Sequence, residues 1–241
     1  MKKIMSLFSS FVFLVGCCAG PASIMPPAAK PAASSIPKEQ KSRRVEAVRR
    51  IKYLTVRLNS LGPEKLGSLC SAVWVKQGML LTANHCVDGL MLLSYATVDD
   101  ESYDKMRLAV PLAQDEENDL AILSVDPSTE PPHDVISLSE EDIEAGEDVD
   151  IVGHTVGFEW TYSKGYVSAV RHVIRGPELI NVQKVIQISS PAWMGNSGGG
   201  AFNENGKLIG ICSWISTAGP FLTFFIHRDM IREFLVKQNA I

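Results

Sequence analysis

From residue 51 onward the sequence runs in short apolar stretches, and this feature most narrows what the chain can fold into. Tyr53–Leu58, Ser71–Val75, Met79–Thr82, Leu90–Ala96, Leu120–Val125, Val149–Val152, Gly165–Val173, Val185–Ser189 and Lys207–Ile215 are rich in Val, Ile, Leu, Thr and Tyr. Turn residues separate them. Such side chains suit a pleated, half-buried surface, and many short strands punctuated by turns predict an all-β barrel or sandwich. The last stretch changes period. Between Arg228 and Gln238, Met230, Ile231, Phe234 and Leu235 recur at helical spacing with charges between them, which predicts one C-terminal amphipathic α-helix. No internal repeat is visible. Only 44 residues follow Ser197, too few to complete a barrel and add a peptide-binding module.

The segment before residue 51 reads differently. Lys2 and Lys3 precede an apolar run from Ile4 to Gly16, too short to span a bilayer comfortably and built like a signal peptide. The run ends in Leu14-Val15-Gly16-Cys17, which resembles the bacterial lipobox, so residues 1–16 are expected to be removed and Cys17 to become a lipid-modified N-terminus. An ordinary signal peptide cut near Ala19 or Ala22 is the alternative. By similarity to sorted lipoproteins, Cys18 after the modified residue favours the outer membrane. Residues 17–50 form an expected tether, first rich in Pro and Ala, then basic. From Lys30 to Lys52 there are eight Lys/Arg and two Asp/Glu. With a net charge of -4 for the whole chain, no global basic surface points to nucleic acid. The basic stretch is read as a solvated, partly helical lead-in to the domain, with attraction to anionic lipid as the second reading.

Three cysteines remain in the exported body: Cys70, Cys86 and Cys212. An oxidising compartment permits one disulfide and leaves one thiol over, and the residues alone do not choose the pair. A zinc site from these with His85 is disfavoured, because no pair has the usual ligand spacing. No cofactor is called for.

Three segments carry the chemistry. Residues 195–199 read Gly-Asn-Ser-Gly-Gly, where glycines let the backbone turn tightly and gather successive N–H groups into one concavity. Ser197 is then a candidate nucleophile, and the Gly195 and Ser197 N–H groups a candidate oxyanion hole. The histidine lies in Leu-Leu-Thr-Ala-Asn-His-Cys, where an apolar strand ends in a small-residue turn just before His85. His133, His154, His172 and His227 lack that setting and are read as structural or surface residues. Asp119 opens an apolar strand in Asn-Asp-Leu-Ala-Ile-Leu, where its carboxylate can face an imidazole from the edge of the core. A hydroxyl, a base and a group orienting the base are what serine hydrolysis requires.

Together these segments resemble the trypsin-like (chymotrypsin-fold) serine peptidases over nearly all of residues 51–240. Thr-Ala-x-His-Cys, Asn-Asp-Leu-Ala-Ile-Leu and Gly-Asn-Ser-Gly-Gly are that family's three signatures in its order. The resemblance implies an all-β fold of two six-stranded antiparallel barrels, about 51–135 and 136–228, within a domain over 51–241. It assigns His85 as general base, Asp119 as its orienting acid and Ser197 as nucleophile. It pairs Cys70 with Cys86, sixteen residues later, and leaves Cys212 free in a buried strand. Asn196 stands where zymogen-activated members carry an Asp that receives a new N-terminal ammonium, so no activation of that kind is expected. The Asn form is similar to the HtrA-type branch, as are Val-Asp-Gly after His85 and the Gly-x-Val-Ser at residue 165. Yet no PDZ domain is expected, and Gly200 replaces that branch's Pro.

By the same resemblance Pro191, Ala192, Trp193 and Met194 line the primary substrate pocket, with Ser213, Trp214 and Ile215 as the opposite wall. Ile215 narrows it and no acid sits at its base, which favours small or aliphatic residues before the scissile bond. The expected function is a serine endopeptidase acting on envelope or extracellular proteins or peptides, anchored through Cys17. A catalytically silent binding or assembly module is the alternative. An esterase of the α/β-hydrolase type is excluded, because there the histidine comes last. No residue argues for a particular oligomeric state.

Overall fold

The computed structural model describes residues 38–61, 69–100, 107–128, 134–175, 181–216 and 221–241. The signal sequence, Cys17, Cys18, most of the tether and His133 lie outside them. Helix α1 (Lys38–Leu54) leads into six strands: β1 (Thr55–Ser60), β2 (Leu69–Lys76), β3 (Met79–Thr82), β4 (Leu93–Ala96), β5 (Arg107–Asp115) and β6 (Leu120–Val125). Six more follow: β7 (Asp148–Gly153), β8 (Thr161–Arg175), β9 (Asn181–Ser189), β10 (Gly200–Phe202), β11 (Leu208–Ile215) and β12 (Thr223–His227). Helix α2 (Arg228–Lys237) ends the fold. The strands close into two antiparallel barrels, in the orders β1-β2-β3-β6-β5-β4 and β10-β11-β12-β9-β8-β7. This is the two-barrel, chymotrypsin-like architecture with one C-terminal helix.

Several strands are apolar throughout because both of their faces are covered. In β2, Ala72 and Trp74 point into the first barrel, while Val73 and Val75 join a second core. Strand β6 divides the same way: Ala121, Leu123 and Val125 face the barrel interior, Leu120 and Ile122 the second core. That second core also holds Val152, Phe202, Leu208, Ile211 and Ile226 from the other barrel, and Ile231, Phe234 and Leu235 from α2. The barrels therefore share a hydrophobic seam. Period-2 side-chain alternation feeds the seam and the barrel interiors from the same strands.

Helix α1 runs from Lys38 through the basic stretch expected to be partly helical, and the strand expected from Tyr53 starts later, because Tyr53 and Leu54 belong to the helix rather than to β1. The cause is Ile51 and Leu54, three residues apart on one helical face and each only 1% exposed. Burying that face holds the last turn of the helix against the seam. Lys41–Glu46, in contrast, are exposed. Among the described residues, no helix is long and apolar enough to cross a membrane.

Candidate active site

His85 sits in a single 3-10 turn (Asn84–Cys86) that follows β3 at once. The Asn84 carbonyl accepts the N–H groups of Val87 and Asp88, both at 2.9 Å, which holds the turn tight. A disulfide joins Cys86 in this turn to Cys70 in β2. Asp119 immediately precedes β6 at φ 55, a left-handed conformation that Asp tolerates better than most residues. Asp115 shapes its approach by accepting the Asn118 N–H at 3.0 Å and its side-chain amide at 2.8 Å.

The structure brings His85 and Asp119 into direct contact. Imidazole Nδ1 lies 3.0 Å from Asp119 Oδ1 and 2.9 Å from Oδ2, and the His85 backbone N–H donates to Oδ1 at 2.9 Å. The Ser213 hydroxyl, from β11 in the second barrel, donates to Oδ2. Burial alone would raise the Asp119 pKa. The hydrogen bond and charge attraction of His85 outweigh it, with Ser213 helping, so the carboxyl is held below its ordinary range. An ionised carboxylate only accepts, so a neutral His85 carries its proton on Nδ1 and presents Nε2 as an acceptor.

Ser197 stands across a cleft of about 790 Å3 that His85, Gly195 and Met194 also line. Among the described residues no hydrogen bond joins its hydroxyl to the imidazole; the two share the cleft wall. The turn carrying Ser197 is fastened from the first barrel. The Ser71 N–H donates to the Ser197 carbonyl at 2.8 Å, and the Ser71 hydroxyl to the Gly195 carbonyl at 2.7 Å. Gly198 has φ +81, and a Cβ there would lie 2.1 Å from Thr82 Oγ1 and 2.2 Å from Ser71 O, so only glycine fits. Gly195 has φ +99, and among the described residues neither its N–H nor that of Ser197 donates to a backbone carbonyl. Both donors are thus uncommitted in the way an oxyanion site needs.

The residues expected to form the substrate pocket separate. Pro191, Ala192, Trp193 and Ile215 line a pocket of about 210 Å3, joined there by Thr155, Ser216, Phe221, Leu222 and Thr223. Met194 instead faces the cleft of His85 and Ser197. Ser213 is turned away to Asp119, and Trp214 stacks on Phe224 with ring centroids 4.8 Å apart. The contact of Ser213 with Asp119 is not legible in the sequence, where position alone makes it a wall residue. Nor is the place of Thr155, since nothing in its local pattern signals a site.

Of the other described histidines, two have structural settings. His154 is fully buried and its Nδ1 accepts the Trp160 N–H at 3.2 Å. His227 caps α2 by accepting the Asp229 N–H at 3.1 Å, and His172 lies exposed on β8. Cys212 is a buried free thiol whose pKa burial pushes up to about 12. Cys70, His85 and Cys86 come within 4.8 Å of one another, but the disulfide consumes both sulfurs as metal ligands.

Comparison with known proteins bears on the family and the fold. Residues 70–211 match the trypsin-like peptidase domain family. The chain is 35% identical over 165 residues to the probable periplasmic serine endoprotease DegP-like of Hahella chejuensis, covering 67% of this chain and 33% of that protein. It is 29% identical over 143 residues to the periplasmic pH-dependent serine endoprotease DegQ of Escherichia coli, covering 59% and 30% respectively. The chain thus spans about a third of the length of the curated relatives it matches. Among solved structures, the HtrA-type protease AlgW with tripeptide superposes with a TM-score of 0.66 at 29% identity, over 78% of this chain and 61% of that one. The active form of the Rv3671c protease from M. tuberculosis gives 0.71 at 20% identity, over 90% and 94%, a likeness of fold.

Proposed function

We propose that this chain, which belongs to the trypsin-like peptidase family, is a serine endopeptidase whose nucleophile is Ser197, general base His85 and orienting acid Asp119. The observation that carries the reading is the doubly bonded His85–Asp119 pair, which presents imidazole Nε2 to the cleft that Ser197 lines. In the proposed reaction Ser197 Oγ attacks the scissile carbonyl carbon while Nε2 takes the hydroxyl proton. The carbonyl oxygen becomes an oxyanion, and the Gly195 and Ser197 N–H groups are the donors proposed to receive it. Collapse expels the amine, which leaves with the proton from His85 and an acyl group on Ser197. Water, deprotonated by the same imidazole, then attacks the ester and frees the acid and the serine.

The 210 Å3 pocket is small, without an acid among its lining residues, and walled by Ile215, Ala192 and Leu222. It favours a small or aliphatic residue before the scissile bond. The periplasmic relatives support an exported envelope protein acting on proteins or peptides there. The lipobox-like run ending at Cys17 supports anchoring through that residue.

The test is covalent labelling of the full-length, detergent-solubilised protein by a fluorophosphonate. Labelling of the parent and none of Ser197→Ala is the expected result. A folded, disulfide-intact parent that does not label overturns the peptidase reading in favour of a silent binding module.

A further inference from the structure

The residue before the proposed nucleophile is Asn196, so no carboxylate is present there to be held by an ammonium. Some other group must keep the turn over residues 193–198 in the shape that aims two N–H groups at one point. Residues 154–160 reach it from two sides. Thr155 Oγ1 donates to Asn196 Oδ1 at 3.1 Å, and the Val156 N–H donates to the Met194 carbonyl at 2.8 Å. Asn196 is 2% exposed, and it presses so closely on the start of this segment that a Cβ at Gly153 would lie 2.0 Å from its Oδ1.

The segment itself is held under strain. Val156 has φ 50 and ψ 33, a left-handed conformation that a β-branched side chain strongly disfavours. Such a conformation persists only where the surroundings over-determine it, and here they do. The His154 ring packs edge-on to Trp160 at 4.8 Å and accepts its backbone N–H. The Trp160 indole N–H donates to the Thr55 carbonyl at 3.1 Å, and Glu159 pairs with Arg57. One end of the segment is thus tied to the first barrel, and its middle grips the turn that carries Ser197.

We infer that Thr155 and Val156 are positioning residues for the oxyanion hole, standing in for the ammonium–carboxylate lock that this chain lacks. The inference rests on the peptidase reading above. The geometric reason is simple. The Met194–Gly195 peptide is trans, so its C=O and N–H point in opposite directions. Drawing the Met194 carbonyl onto the Val156 N–H turns the Gly195 N–H away from it, and the Thr155 hydroxyl fixes the neighbouring Asn196 side chain against rotation. Losing either contact frees that peptide to turn over and point a carbonyl where an oxyanion must bind.

Thr155→Val keeps the shape and removes the hydroxyl, while Thr155→Ser keeps the hydroxyl. With a peptide substrate, Thr155→Val lowers kcat roughly ten- to a hundredfold, less than the loss of a direct oxyanion donor. It weakens binding of a peptide aldehyde, which forms an oxyanion, by the same factor, and Thr155→Ser restores both. A Thr155→Val enzyme with parental kcat, or a loss that Thr155→Ser does not rescue, overturns the inference. The Gly195 backbone amide resonance gives a readout that needs no turnover. It shifts in Thr155→Val and returns in Thr155→Ser, and an unmoved resonance sinks the link between segment and turn even if the parent proves inactive. Failure of the parent to react with fluorophosphonate, with the resonance shifting as expected, counts against the peptidase reading alone.

Discussion

Asp119 illustrates how much a single carboxylate is asked to do. Oδ1 accepts from the His85 N–H and ring, while Oδ2 accepts from the ring and from the Ser213 hydroxyl. An amide in its place has one accepting oxygen, so its NH2 must face an imidazole nitrogen and drive the ring proton to Nε2. Asp119→Asn is therefore expected to keep the fold and lower kcat roughly ten-thousandfold, measured by peptide hydrolysis alongside circular dichroism. His154 sets a second residue-scale prediction. Burial, reinforced by the Arg57 charge, pushes its pKa from 6.5 down to about 3. The unfolded chain therefore binds a proton that the folded one refuses, and stability falls as pH drops from about 6.5 towards about 3. His227, down to about 4 through burial, acts in the same direction. His154→Asn retains an acceptor for the Trp160 N–H and should flatten part of the fall in Tm between pH 6.5 and 4. Equal slopes in parent and variant count against it. His85, Asp119 and Ser197 were legible in sequence because each abuts a strand or glycine turn with a distinctive local pattern. The contacts of Ser213 and Thr155 were not, because they are made across long sequence distances by residues whose own neighbourhoods are ordinary, and the local pairing of His154 with Trp160 was not, because no pattern around it signals burial.

At the scale of elements, the strands that the sequence announced are those with two covered faces or clean alternation. Those it concealed have physical excuses. In β5 the outward Leu108, Val110 and Leu112 are exposed and the inward residue is a mere Ala109, while Pro111 interrupts the run. Strand β10 has three residues and opens on a glycine. Strand β12 has five and runs directly into α2, so no turn marks its end. The most consequential element is the 3-10 turn that presents His85, and the Cys70–Cys86 disulfide ties it to β2 across 16 residues. Closing a loop of that size restricts the unfolded chain and stabilises the fold by about 3 kcal/mol. The paired change Cys70→Ala and Cys86→Ala should lower Tm by roughly 6–12 °C in a domain of this size, read by thermal unfolding. Cys212 does not complicate the experiment, since a buried thiol with its pKa near 12 is a poor partner for exchange. A variant as stable as the parent shows that the hydrogen bonds accepted by Asn84 and Asp119 hold the turn without the crosslink.

At the scale of the whole molecule, the seam between the barrels decides whether the candidate site exists at all. His85 and Asp119 come from the first barrel, while Ser197, Gly195 and Ser213 come from the second. Neither half therefore holds a complete set. The seam is the largest shared core: Ile51, Val73, Leu81 and Ile122 meet Phe202, Leu208, Ile226 and Phe234. Two barrels follow from the family resemblance, but nothing in the sequence marks that alternate residues of β2 and β6 serve different cores. Two barrels joined by so apolar a seam should unfold together, because separating them would expose it all at once. Phe202, fully buried there and packed over Gly200, is the most informative probe. Phe202→Ala leaves a cavity between the halves and should cost about 3–5 kcal/mol. Tryptophan fluorescence, far-ultraviolet circular dichroism and peptidase activity should still be lost in one coincident transition, at a lower temperature. Trp74 lies in the first barrel and Trp214 in the second, so emission reports on both halves. If activity disappears well before the ellipticity, the barrels part while each remains folded. The seam would then be a hinge, and the site could be opened and closed by anything that binds across it.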